Sequence, residues 1–314
     1  MSAQRNYALD LLKCFAALMV VFLHYNKVMG EFGVLYSEIV RSITRLAVPL
    51  FFMITGYYLP VIVEKDGQNQ QIIKILKLAF GSTAFYFVYR LIDASFTSSV
   101  SGWLTSHYTI GSVFSWIFLN DDPACYHLWY LYALLYSVLF YAVLYHFKLQ
   151  RHIAIITLCL FILVFVANYT DVIFVRNYLL GIPCIGCGVL VREKQLKVTY
   201  RQIFIPLSML LVIAEMLFFH KSLDVYTFSI PLALCMLTWA IDNPSKGKGT
   251  SFAMIGMKLS AYIYIFHVFV DNMIGNVLNY DTTILQVLRP FIVFISATLF
   301  SYMYVKFKAL IYGA

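Results

Sequence analysis

Lys13 and His24 are the residues whose types and spacing first suggest chemistry. They lie eleven positions apart in the run NYALDLLKCFAALMVVFLHY, Asn6 to Tyr25. In a helix, about 100° and 1.5 Å per residue leave them roughly 20° apart around the axis and about 16 Å apart along it. An imidazole titrates near neutrality, so it can take a proton from a hydroxyl or transiently carry a transferred group. An ammonium group at the other end of the same stripe attracts phosphate as a point charge. Asp10 sits one turn before Lys13 and can pair with it. The competing description is a lysine snorkelling to an interface and a histidine bonded to a neighbouring helix. A face shared by both residues argues for a common role.

Such a stripe needs a helix that water does not surround. The chain has 314 residues, 61% hydrophobic and only 12% charged, with a mean hydropathy of +0.79. That excludes a soluble globular protein. About 20 mostly apolar residues cross a hydrocarbon core of roughly 30 Å. Runs of this kind predict spans near 7–27, 44–63, 72–92, 127–147, 152–168, 173–191, 203–220, 224–241, 258–276 and 286–305. The expected fold is therefore an all-α polytopic membrane protein of about ten transmembrane helices, read as a single integral-membrane domain over 1–314. The first run is too long for a cleaved leader and is read as a retained helix. Intramembrane charge is costly against lipid, about 2.5 to 3.5 kcal/mol for Lys or Asp, so the Lys13–His24 stripe is expected to face the bundle interior.

Ten crossings put both termini on one side. If that side is cytoplasmic, sixteen of the 23 Lys and Arg residues fall inside, leaving Lys27, Arg41, Arg45, Arg90, Arg176, Lys221 and Arg289 outside. This is the loop-charge bias of a membrane protein with both termini cytoplasmic. The same bias explains the net charge of +8 without a nucleic-acid partner, since the basic residues are scattered in short loops. The six cysteines are spread over apolar segments, and CIGC (Cys184 to Cys187) reads as small-residue helix packing rather than a metal or redox motif. The connection from Asp93 to Tyr126 is too broken to span and is expected at the membrane interface as a lid. Neither an interrupted helix nor an inverted repeat is visible, which argues against a secondary transporter using Lys13 and His24 as a proton path.

Other candidates follow from this topology. Arg45 and His127 begin inward-running spans and so join His24 toward the outer face. Arg45 can stabilise an oxyanion or bind a charged acceptor, or merely anchor the interface. His127 can orient an acceptor or His24, or hold its own helix through a hydrogen bond; Trp129 and Tyr130 beside it read as packing or interface residues. His267 sits within an apolar span, where a structural hydrogen bond is the first reading and a pocket role the second. Asp121 and Asp122 read as a solvated turn before Pro123, without neighbouring ligands for a metal; no metal is expected.

The run ALDLLKCFAALMVVFLHY resembles the first helix of the membrane-integral acyltransferase family 3, with its basic residue, ten-residue gap and histidine. RLAVPLFFMITGYYL (Arg45 to Leu59) is similar to that family's second helix at Arg45, Pro49, Phe51, Phe52 and Gly56. Lys74 and Lys77 in IIKILKLAF stand where many members carry an Arg-x-x-Arg pair. YHLWYLYALL and KLSAYIYIFHVFV continue the resemblance through the fourth and late helices. Two positions depart from the pattern: Lys13 replaces the commoner arginine, and Lys74 and Lys77 lack the bidentate fork of guanidinium. Members with an acidic residue in the fourth helix have it where this chain has Leu134.

The resemblance implies an enzyme, an acyltransferase of groups other than aminoacyl groups, in the bacterial cytoplasmic membrane. Its donor would be cytoplasmic acyl-coenzyme A, in the first place acetyl-coenzyme A. Its acceptor would be a hydroxyl of an extracytoplasmic glycan or polysaccharide of the cell envelope. Lys13, Lys74 and Lys77 would then hold donor phosphates, and His24 would act as general base or acyl carrier. Asp10 would fix Lys13, while Arg45 and His127 would complete the centre. RLAVPLFFMITGYY and YHLWYL also resemble the membrane domain of vancomycin-resistance serine racemases, which implies the alternative of serine binding or transport. Neither reading sets the oligomeric state.

Overall fold

The computed structural model describes residues 5–97, 99–170, 179–219 and 223–312. Arg176, Lys221 and the first part of the span expected over 173–191 lie outside the described residues. Every regular element among the described residues is helical. Seven helices are long and apolar enough to cross a membrane, and an eighth span is formed if one bent pair is taken together. The spans expected near 173–191 and 224–241 coincide with the shorter helices Gly181–Glu193 and Ser229–Asp242.

The chain divides into two compact units. The first holds Met1–Ile54 and Leu196–Ala314, and the second holds Thr55–Gln195. In the first unit, α1 (Tyr7–Tyr25) is surrounded by α2 (Glu31–Thr44) and by four helices from the end of the chain. The second unit begins within α3 (Ala47–Glu64). It continues through α4 (Gln68–Thr97), α5 (Val100–His107), α6 (Ile110–Leu119), α7 (Trp129–His146), α8 (Ile153–Tyr169) and α9 (Gly181–Glu193). The first unit resumes with α10 (Arg201–Phe219), α11 (Ser229–Asp242), α12 (Ser251–Lys258), α13 (Ser260–Gly275) and α14 (Thr283–Tyr312).

Local chemistry sets where α1 begins. The Asn6 side chain accepts a hydrogen bond from Leu9 N at 2.9 Å, capping the first turn. Its amide donates to Ala240 O at 2.9 Å, and Tyr7 N donates to Pro244 O at 2.8 Å, so the cap also fastens α1 to the end of α11. Gly256 of α12 lets two backbones touch, because a Cβ there would lie 1.8 Å from Asp10 O. Phe15, on the opposite side of α1, is exposed, as a lipid-facing residue should be.

The bent pair corrects one expectation. The span predicted over 258–276 is preceded by α12, which meets α13 at 82° across Leu259. An interrupted helix is therefore present, hidden in the sequence because the break contains neither proline nor glycine. A second difference is α2, a helix where the sequence suggested only an outer connection. In the 93–126 segment, α5 and α6 occupy most of the chain, each opened by a hydroxyl cap, Ser99 on Gly102 N and Thr109 on Ser112 N.

In the second unit the small-residue reading of CIGC holds in detail. A Cβ on Gly186 would lie 2.1 Å from Thr157 Oγ1 and 2.5 Å from Tyr141 Oη, and one on Gly56 would lie 2.0 Å from Ile185 O. Tyr141 Oη donates to Ile182 O at 3.0 Å, so α7, α8 and α9 meet through glycine and two buried hydroxyl side chains.

Candidate active site

His24 meets a second histidine. It lies near the C-terminal end of α1, where its ring centroid is 5.2 Å from that of His267, the two planes inclined by 30°. His267 is fully buried on α13, and its Nδ1 lies 2.7 Å from Tyr264 O, one turn earlier on the same helix. If that nitrogen carries the proton, the carbonyl accepts it and the ring is held in one tautomer. The expected structural hydrogen bond is therefore present, and the pocket role stands beside it.

The ends of the helices behind this pair are locked together. Asp271, one turn after His267, accepts from Arg289 of α14 through both oxygens, Nε to Oδ1 at 2.9 Å and Nη2 to Oδ2 at 2.6 Å. Such a fork fixes orientation as well as charge. The same guanidinium lies 5.0 Å from the Tyr25 ring and 4.6 Å from the Tyr280 ring, a cation held between two aromatic faces. Tyr25 follows His24 in α1, so Arg289 braces both histidine-bearing helices.

Arg45 closes α2 as its C-cap and lies, with Arg41, within electrostatic reach of His24. One of its nitrogens donates to Asp224 twice, to the carbonyl oxygen at 3.1 Å and to Oδ1 at 2.9 Å. Its Nε is buried without a hydrogen-bond partner among the described residues. Asp224 belongs to a loop that Glu215 supports by accepting from Thr227 N at 2.8 Å and Phe228 N at 3.3 Å.

At the other end of α1, Lys13 Nζ donates to Asp10 Oδ1 at 3.3 Å, and Arg5 donates to Asp10 Oδ2 from Nε at 2.9 Å and from Nη2 at 2.7 Å. The buried carboxylate thus gathers two cations, and the stripe does turn Asp10 and His24 toward protein rather than lipid. Arg5 was the missing partner in the sequence reading.

The remaining candidates lie in the second unit. His127 is buried in a single 3₁₀ turn, Tyr126–Leu128, with Nδ1 2.8 Å from Cys125 Sγ and its ring 5.2 Å from that of Tyr86 in an edge-to-face contact. Burial pushes the Cys125 thiol up to about 12, so it stays protonated at neutral pH. Lys74 and Lys77 project from α4 as exposed side chains, in none of the ion pairs among the described residues.

Asp122 departs from the expected solvated turn. It is buried, accepts from Ala124 N at 2.8 Å and Cys125 N at 3.3 Å through Oδ1, and accepts from the Thr83 hydroxyl through Oδ2. Thr83 Oγ1 lies 2.7 Å from Tyr132 Oη. Burial raises the carboxyl above its ordinary value against these hydrogen bonds. Its neighbour Asp121 is exposed, and the pair behaves as one structural and one solvated residue.

The profile of the acyltransferase 3 family, described as an acyltransferase domain, matches residues 6–306. The chain belongs to that family. Its apolar helices are those of a multi-pass membrane protein. The match takes in all the candidate residues of both units. The chain is also 31% identical over 128 residues to an amino-acid racemase of Enterococcus faecalis, a stretch that is 40% of this chain and 18% of the racemase. The chain thus spans less than a fifth of that relative. No solved structure matches.

Proposed function

We propose that the protein moves an acyl group, acetyl in the first place, from cytoplasmic acyl-coenzyme A to a hydroxyl of an extracytoplasmic glycan in a bacterial cytoplasmic membrane. The observation that carries this reading is the contact between His24 and His267 at one end of a helix whose other end holds Lys13. His24 takes the proton of the acceptor hydroxyl, and the oxygen attacks the thioester carbonyl. The C–S bond of the tetrahedral intermediate then breaks, and the departing coenzyme A thiolate recovers the proton. Arg45, with Nε available, stabilises the oxyanion. Lys13, Lys74 and Lys77 are the residues assigned to the donor phosphates. His127 fixes the start of its own helix.

The test is direct. Purified protein in lipid vesicles, given acetyl-labelled coenzyme A, is expected to release the free thiol and to label a hydroxylated glycan; absence of both would remove the acyl-coenzyme A donor. The interrupted α12–α13 span favours a second reading, amino-acid binding or transport, because broken helices commonly frame solute sites. Serine uptake by the same vesicles, without thiol release, would select it.

A further inference from the structure

Beyond His24 the chain runs straight into the wall of a cavity of about 510 Å³, within the range of small-molecule sites. Its lining includes Lys27, Glu38, Arg41, Tyr280, Gln286 and Arg289. Gln286 builds the wall: its Oε1 accepts from Met29 N at 2.9 Å and its amide donates to Tyr280 O at 3.0 Å. Both of its polar atoms are thereby committed to structure.

The charges are not. Arg289 is neutralised by Asp271, but Lys27 and Arg41 take part in none of the ion pairs among the described residues. Glu38 is three residues from Arg41 yet forms no ion pair with it. Two cations thus face the cavity against one free carboxylate. Tyr280 also lines the cavity, and its hydroxyl oxygen is buried without a hydrogen-bond partner among the described residues. Burial pushes that phenol above its ordinary value, so it remains protonated. A surplus of positive charge and an unused O–H, in a cavity whose wall includes Asn26 and Lys27, two and three residues past the proposed base, describe a place for an anion attached to a hydroxylated ligand.

Resting on the acyl-transfer reading, we propose that the acceptor is acidic: a carboxylate-bearing sugar whose acid group is held by Arg41 and Lys27, with Tyr280 as a third donor, while its hydroxyl meets His24. The volume has room for more than one sugar ring, more than a single amino acid requires.

Titration of the purified, detergent-solubilised protein with digalacturonic acid and with its dimethyl ester separates charge from shape. The acid is expected to bind on the order of tenfold or more tightly than the ester, and to weaken as salt is added. Arg41→Gln with Lys27→Gln should erase the difference, Arg41→Lys should keep most of it, and Glu38→Gln should enlarge it. Equal binding of acid and ester by the unsubstituted protein overturns the proposal, as does a preference for the acid that survives the double substitution. Serine binding that depends on Arg41, with no binding of digalacturonate, overturns the sugar assignment. Thiol release from acetyl-coenzyme A, followed in the same samples, keeps the two ideas apart. Preference for the acid without thiol release supports the anion site and removes acyl transfer; thiol release with equal acid and ester binding does the reverse.

Discussion

His24 and His267 face one another at 5.2 Å between ring centroids although 243 positions separate them in the chain. One is brought by the first helix and the other by the helix after the 82° bend. Their neighbours Tyr25 and Asp271 are both held by Arg289, so the contact belongs to a braced arrangement.

His24→Ala should abolish acyl transfer, a loss of about 10²- to 10⁴-fold for a general base, with membrane insertion intact. Transfer at the unsubstituted rate would end the assignment. His267→Gln should lower kcat by a smaller factor with donor KM unchanged, since it acts through His24.

Arg45→Lys should lower kcat even though charge is kept. A lysine can reach Asp224 but has no counterpart to the buried, uncommitted Nε. Steady-state kinetics showing equal kcat would reduce Arg45 to an anchor of the Asp224 loop.

Lys74→Ala combined with Lys77→Ala should raise donor KM more than it lowers kcat, because exposed cations act in binding. An unchanged donor KM would take both lysines out of the site.

Gly56→Ala places a methyl 2.0 Å from a backbone oxygen, whereas Gly81→Ala meets nothing within 4 Å. The first should destabilise by about 1–3 kcal/mol and the second should stabilise by about 0.5–1 kcal/mol. Thermal unfolding in one detergent, with both variants side by side, checks the contrast.

Asp122 has a folded-state pKa above the ordinary 3.8, chiefly from burial. Its stabilising contribution is complete below about pH 3.8 and is lost as pH rises through the raised value. Asp122→Asn should therefore flatten the pH dependence of unfolding and gain relative stability at neutral pH. A steeper dependence in the variant would contradict the assignment.

The membrane-spanning helices were legible because apolar length is a one-dimensional signal, and the Lys13–His24 stripe because helical period converts spacing into a face. Asp10 beside Lys13 followed from the same geometry. The His24–His267 contact was not legible, since nothing local tells which helix will pack where. A partial signal existed in His267 and Asp271, four residues apart on one helical face, and in Arg289 as the only basic residue near the start of the last span. Asp224 carried none: its meeting with Arg45 depends on a loop held by Glu215. Asp122 was misread because DDP looks like a water-exposed turn, and only the packing of Thr83 and Tyr132 over it removes the water.

The break at Leu259 turns two contacts into a problem of phase. One continuous stretch grips α1 twice, through Gly256 at Asp10 and through His267 at His24. A single residue inserted within α13 before His267 would turn that side chain by about 100° around the helix axis. Gly256 would stay seated while His267 swung away from His24. The bend therefore works as a registration mark, with the number of residues between the two grips setting which side chain of α13 meets His24.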